Sequence, residues 1–255
     1  MCNENFNQGV SVNGGGILVA GQPAFGCPLD PTGQADPACL IDPDQVLSAG
    51  TGSVKIIGNL IQGNSAGAGD GAGIRLSRIN GQDVSVSNKG VVSVDHVIDV
   101  VNNMIVDNVA GLSGGGISIS DALDVNILHN TIANNDITST TADAFVPGLP
   151  EVTVAQPGAG IIARTHSAEL AQFVPSTIAN ANMVDNIIWH NRQFFWMSDT
   201  SVTPSRNGLC PGINGEAGLI CYGGNESVYD DLAVGSPVCV ACILTGALDP
   251  SFIGE

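Results

Sequence analysis

Residues 103–129, NMIVDNVAGLSGGGISISDALDVNILH, hold three short segments, NMIV, GGISIS and DVNILH, in which apolar residues alternate with polar ones. Gly, Asn and Ser separate them. Period-two alternation predicts half-buried strands, and the small and polar residues between them predict bends. No 3.6-residue period is present. The pattern therefore predicts an all-β chain built from short strands.

Two motifs recur in strict alternation. NLIQGN begins at Asn59, NMIVDN at Asn103, NTIANN at Asn130 and NIIWHN at Asn186, all of the form N-x-I-x-x-N. GGGILV at 14–19, GAGIRL at 71–76, GGGISI at 114–119 and GAGIIA at 158–163 share G-x-G-I with a further apolar residue two positions on. The first motif recurs at spacings of 44, 27 and 56 residues. Three short strands per turn and a shortest repeat in the twenties predict a parallel β-helix of about five coils, each coil adding one strand to each of three sheets. Inward Ile and Val stack from coil to coil. Asn suits the bends because it tolerates left-handed backbone angles, and stacked Asn side chains can bond to one another along the axis. Gly-x-Gly serves where a Cβ would clash.

The longer spacings imply insertions near 20–50, 77–95 and 136–157, the second reading as a hairpin around SNKG. All three are expected to leave near one corner, a common placement for a solenoid's binding surface. Residues 1–255 read as a single β-helix domain with an irregular, cysteine-containing last part, 192–255. The chain begins inside a coil and shows no amphipathic cap, so a segment of a longer chain, or ends that stack on neighbours, is expected.

These eight motif copies resemble the right-handed parallel β-helix repeat proteins of the pectin-lyase-like superfamily. NIIWHN followed by LDPSFIG is similar to the last coils of many secreted bacterial β-helix proteins. That superfamily holds polysaccharide lyases, hydrolases, adhesins and non-catalytic stalks, so the resemblance implies a fold more than an activity.

Charge narrows the partners. Seven basic residues against 24 acidic ones, a formal net charge of −17, exclude the basic patch that nucleic acid requires. No apolar run is long enough to span a membrane, and the N-terminus has neither part of a signal peptide. The acidity reads as a solvated surface or, through clustered carboxylates, as calcium binding, although no D-x-[DN]-x-[DN]-G run is present. No other cofactor is called for.

Cys27 and Cys39, and Cys210 and Cys221, bracket Pro/Gly-rich loops; Cys239 and Cys242 form CVAC; Cys2 is left over. Paired cysteines closing irregular loops predict disulfides and an extracellular or cell-surface location. An all-cysteine zinc site on the last four is the rival reading.

Few residues stand out for chemistry. Arg75 lies on a strand near Asp70 and Arg78, and is expected as an exposed cation beside an acidic loop. Enzymes of the pectate-lyase type pair such a base with calcium-binding acids. Asp121 and Asp124 flank one bend, with Asp95 and Asp99 a coil earlier. They read as solvated turn acids or as a carboxylate pair for calcium or acid–base work. Trp189, Phe194, Phe195 and Trp196 gather four of the chain's eleven aromatic residues into a sugar platform, a partner contact or an end plug. His129 and its equivalents Gly58, Asn102 and Asp185 are expected at solvent-facing bends. Together these predict a non-catalytic structural, adhesive or scaffolding protein. Its partners would be proteins, itself through its solenoid ends, or a polysaccharide surface. The alternative is a polysaccharide lyase or hydrolase using acids on one sheet.

Overall fold

The computed structural model describes residues 14–21, 47–86, 90–146, 148–179, 181–199, 206–211, 228–229 and 232–235. The chain is a parallel β-solenoid. After β1 (Ile17–Ala20), the first full coil runs β2 (Val54–Ile57), β3 (Leu60–Gln62), β4 (Ser65–Ala66) and β5 (Ile74–Ser77). A hairpin of β6 (Ser85–Val86) and β7 (Val92–Ser93) follows. The second coil is β8 (Ile98–Val101), β9 (Met104–Val106), β10 (Val109–Ala110) and β11 (Ile117–Ser120). The third is β12 (Val125–Leu128), β13 (Thr131–Ala133) and β14 (Asp136–Ile137), then the hairpin β15 (Phe145–Val146) and β16 (Leu149–Thr153), then β17 (Ile161–Arg164). The fourth is β18 (Ala181–Val184), β19 (Ile187–Trp189) and β20 (Arg192–Asp199), with β21 (Arg206–Pro211), β22 (Val228–Tyr229) and β23 (Leu232–Gly235) after it.

Four sheets result, not three. In the order the chain visits them, sheet 1 is β2-β8-β12-β18, sheet 2 is β3-β9-β13-β19, sheet 3 contains β4-β10-β14-β20, and sheet 4 is β1-β5-β11-β17-β23. The extra sheet comes from the N-x-I-x-x-N motif, which encloses a complete three-residue strand between two corners. Both corners have the same construction. The residue before each motif Asn takes a left-handed conformation: Gly58, Asn102, His129 and Asp185 at the first corner, Gly63, Asp107, Asn134 and His190 at the second. The motif Asn residues themselves do not. The left-handed role expected of them belongs to their predecessors, which stand at bends where short polar side chains tolerate φ near +55°. His129 is exposed there, as expected.

The motif asparagines instead carry the hydrogen bonds between coils. Asn103 accepts at Oδ1 from the N–H and Nδ2 of Asn59, and donates from Nδ2 to the Ile56 carbonyl and to Oδ1 of Asn130. Asn108 repeats this with Asn64, the Ile61 carbonyl and Asn135. Both ladders continue to Asn186 and Asn191. Asn103 and Asn108 are buried, so each bond replaces one that water cannot supply, and the corners keep their register from coil to coil.

Inward-facing residues stack in columns: Ile61, Ile105 and Ile132 from sheet 2, and Ile74, Ile117 and Ile161 from sheet 4, among others. They form one continuous core. A smaller cluster of Ala66, Ala72, Ala110, Ile137 and Ala159 fills the corner between sheets 3 and 4. The last Gly of G-x-G-I closes that corner. A Cβ on Gly116 would lie 2.5 Å from the Gly160 carbonyl and 2.9 Å from Ile132 Cγ2.

The insertions leave from two corners. The β6–β7 hairpin departs between sheets 4 and 1, as does the stretch after β17 that carries a 3-10 turn at Leu170–Gln172. The excursion at 136–157 departs instead between sheets 3 and 4, where β16 pairs antiparallel with β20. The 56-residue spacing thus holds two excursions, at 136–157 and at 165–180, rather than one. Most of the insertion at 20–50, with Cys27 and Cys39, lies outside the described residues, as does most of 192–255, with Cys221, Cys239 and Cys242.

Candidate functional site

The outward-facing residues of each sheet are set by the same alternation that builds the core. On sheets 1 and 2 they form three adjoining columns along the axis: Ile57, Val101, Leu128 and Val184; Leu60, Met104, Thr131 and Ile187; and Gln62, Val106, Ala133 and Trp189. Ile57, Leu60, Met104, Val184, Ile187 and Trp189 are between 43% and 63% exposed. They are six of the eleven exposed large apolar residues among those described, and they lie on the adjoining outer faces of sheets 1 and 2, either side of the first corner. Singly, exposed apolar residues mean little; six of them grouped on adjoining faces mark a surface suited to being covered. Its charge is low. Lys55 and Asp99 pair with each other, and Asp99 also accepts from Asn126.

Sheet 4 presents the reverse. Arg75 points outward from β5, yet it is buried, which overturns the expectation of an exposed cation. Its guanidinium bonds Ser118 and Ser120 of the next strand and lies 3.6 Å from Asp70. Arg164, from β17, reaches the same carboxylate at 2.6 Å. Two guanidiniums thus share Asp70, which also accepts from the N–H of Ser113. Burial lowers the pKa of Arg75; Asp70 opposes that shift and Arg164 adds to it. The Nε atoms of both arginines are buried without a hydrogen-bond partner among the described residues.

Asp121 is buried too, rather than a solvated turn acid. It accepts from the Ser167 N–H at 2.7 Å and lies 3.6 Å from His166 Nδ1. Burial pushes its pKa up, and the nearby His166 imidazole together with the Ser167 N–H outweighs that push, leaving it below the ordinary carboxylate value. The structure does not gather the four bend acids around one centre. Asp95 is exposed, with its main chain bonded to Ser53 and Asp83; Asp99 is bonded within sheet 1, Asp121 to the 165–180 insertion, and Asp124 lines a cleft beside it. Among the described residues no three His, Cys, Asp or Glu side chains group so as to hold a metal ion.

The aromatic quartet divides. Trp189 stands exposed on sheet 2 and stacks on His190, with ring centroids 3.5 Å apart. Phe195 is buried with Ala155 and Cys210 in a separate small core beneath the β16–β20–β21 extension. Phe194 lies under the Arg192 guanidinium at 5.4 Å, and the Trp196 N–H donates to Thr153. The reason is local: β20 runs on past the solenoid, and its alternation sends Phe195 to the opposite side from its two neighbours.

A shallow polar groove follows the corner between sheets 2 and 3. Asp107, Asn134 and His190, the left-handed corner residues, line it together with Val109, Asp136 and Arg192. Arg192 is held bidentate by Asp136, at 2.8 and 2.6 Å. Sequence reasoning missed this strip. Its signal was present in the residue before each second motif Asn, a position that is always polar or Gly.

A scan against family models and searches of curated proteins and of solved structures found no match to this chain.

Proposed function

We propose that this chain is a non-catalytic structural element of an extracellular or cell-surface assembly, a solenoid that meets other protein surfaces through the apolar outer faces of sheets 1 and 2. The observation that carries the reading is the group Ile57, Leu60, Met104, Val184, Ile187 and Trp189, exposed on the first, second and fourth coils, with the less exposed Leu128, Thr131 and Ala133 of the third coil between them. A second copy is the partner it fits first. On a chain of net charge −17, like-charge repulsion is smallest where the acids are fewest and already paired. Outer faces with repeating columns can pack on their own copies about a two-fold axis. The oxidising location rests on the cysteines that bracket Pro/Gly-rich loops, and the pairings Cys27–Cys39, Cys210–Cys221 and Cys239–Cys242 belong to this proposal.

The alternative, a polysaccharide lyase, would call on Arg75 as its base, and a guanidinium buried among Asp70, Ser118 and Ser120 has no access to a substrate. Sedimentation equilibrium over a hundredfold range of concentration tests the scaffold reading. Reversible self-association that Met104→Lys with Ile187→Lys abolishes is the expected result. A wild-type chain that stays monomeric throughout, or a double variant that associates as strongly, counts against it.

A further inference from the structure

The corner between sheets 4 and 1 is short only once. Between the second and third coils the chain crosses it in four residues, Asp121 to Asp124, whereas the preceding and following crossings carry the β6–β7 hairpin and the 165–180 insertion. The short crossing becomes the floor of a cleft and the two insertions become its walls. Leu123 and Asp124 form the floor, Val92 and Val94 one wall, and Val174, Pro175, Ser176 and Ile178 the other, around a volume of about 400 Å³.

The cleft is held from both sides. Asn80, at the hairpin root, accepts from the Leu123 N–H at 2.7 Å and donates to Asp83 at 2.8 Å. On the other side Asp121 holds the Ser167 N–H at 2.7 Å, and the His166 N–H donates to the Thr177 carbonyl at 2.9 Å. The walls are therefore fixed before any ligand arrives, which removes an ordering cost from binding. The lining is apolar except for Ser176 and one carboxylate. Asp124 is half-buried, and its carboxylate makes no hydrogen bond or ion pair among the described residues. A largely apolar cleft of this size with a single charged group has the composition of a small-molecule site.

We propose that this cleft binds a small organic cation, a protonated amine carried on an aliphatic body. The hydrocarbon would lie against Val92, Val94, Leu123, Val174 and Ile178, and the ammonium would pair with Asp124. Partial burial makes a carboxylate–ammonium pair stronger than at an open surface. The field of a chain with net charge −17 favours a cation and opposes an anion.

The test uses the full chain with three probes of one length: n-hexylammonium, 1-hexanol and n-hexanoate. Binding is read from amide shifts of Leu123, Asp124 and Val174 in nitrogen–proton correlation spectra. Saturable shifts with hexylammonium, at least about tenfold tighter than with hexanol and absent with hexanoate, are expected. Asp124→Asn should weaken hexylammonium about tenfold, to the level of hexanol, while leaving the rest of the spectrum in place. Equal binding of hexanoate, an unchanged affinity in Asp124→Asn, or no saturable shift at these amides would each overturn the proposal. So would binding of a lysine-containing hexapeptide with aliphatic neighbours in the absence of hexylammonium binding.

Discussion

Leu60, Met104 and Ile187 stand on the outside of sheet 2, in water; Arg75 and Ser118 stand on the outside of sheet 4, out of it. Both sheets are parallel, both alternate inward and outward with period two, and both stack isoleucine on the inside. Their outer faces invert the usual relation between polarity and exposure. The difference lies in what adjoins each sheet. Sheet 2 is bounded by two tight corners with no insertion at either. Sheet 4 is entered past Asp70 and left toward insertions that bring His166 and Ser167 to Asp121. Surface character here follows from the corners more than from the strands.

The first way to break that comparison is to remove the carboxylate the two arginines share. Asp70→Ala leaves two guanidiniums beside each other in a buried place. Removing one partner of a buried ion pair costs about 3–5 kcal/mol, because the other charge is left uncompensated. Thermal unfolding followed by circular dichroism should show the midpoint falling by about 10 °C, at about 2–4 °C per kcal/mol for a chain of this size. A fall under about 2 °C would mean that the outer face of sheet 4 is not sealed. Arg75→Met with Arg164→Met, which removes the charges and keeps much of the volume, should cost less than Asp70→Ala.

Sheet 2 has no such outer support, so its hold must come from its corners. Asn108 is fully buried and takes part in four side-chain hydrogen bonds across three coils. Asn108→Ala removes the amide and leaves the Ile61 carbonyl and the Asn135 Oδ1 each short of a donor. At about 1–3 kcal/mol per buried unsatisfied group, a loss of about 3 kcal/mol is expected. Denaturant midpoints at constant slope would measure it.

How much of this was legible in advance can be read from the same residues. The spacing of Asn59, Asn103, Asn130 and Asn186 announced the coils, because a repeat that stacks in register must repeat its corner chemistry. The ladder was legible for the same reason. The left-handed position was not, since Gly58, Asn102, His129 and Asp185 share a conformation rather than a residue type. Arg75 was misplaced because burial on an outer face depends on Asp70 and Arg164, five residues before it and two coils away, and alternation says nothing about either. The apolar columns of sheets 1 and 2 could have been drawn from the motif alignment: Leu60, Met104 and Ile187 all occupy the second motif position. What alternation lacked was a reason to place them outside.

Acid separates the two faces more gently. The pKa of Asp121 is depressed in the folded chain, so its bonds stabilise the fold at pH values above the ordinary carboxylate value. That contribution falls away as pH drops below about 4 and through the lower folded pKa. Asp121→Asn should cost about 1–2 kcal/mol at pH 7, the scale of hydrogen bonds to a charged group. It should cost less at pH 2, where the wild-type carboxyl is protonated as well. A variant whose deficit is the same at both pH values would show that the charge of Asp121 contributes nothing to holding Ser167 and His166.

The smallest effect on stability is expected where the largest effect on association is. Met104 is half exposed at the centre of the apolar face, and its neighbours across the sheet are Leu60 and Thr131. Met104→Lys removes no inward packing, because Ile105 carries the core at that rung. Surface substitutions away from such packing change stability within about 0.5 kcal/mol. A lysine at that position would nonetheless place a charge that must be desolvated whenever the face is covered, and two copies would bring two such charges together. The chain should therefore unfold at its wild-type midpoint and fail to self-associate. A midpoint lowered by several degrees would place Met104 in the solenoid's own packing, and sheet 2 would then be closer in kind to sheet 4 than its exposure suggests.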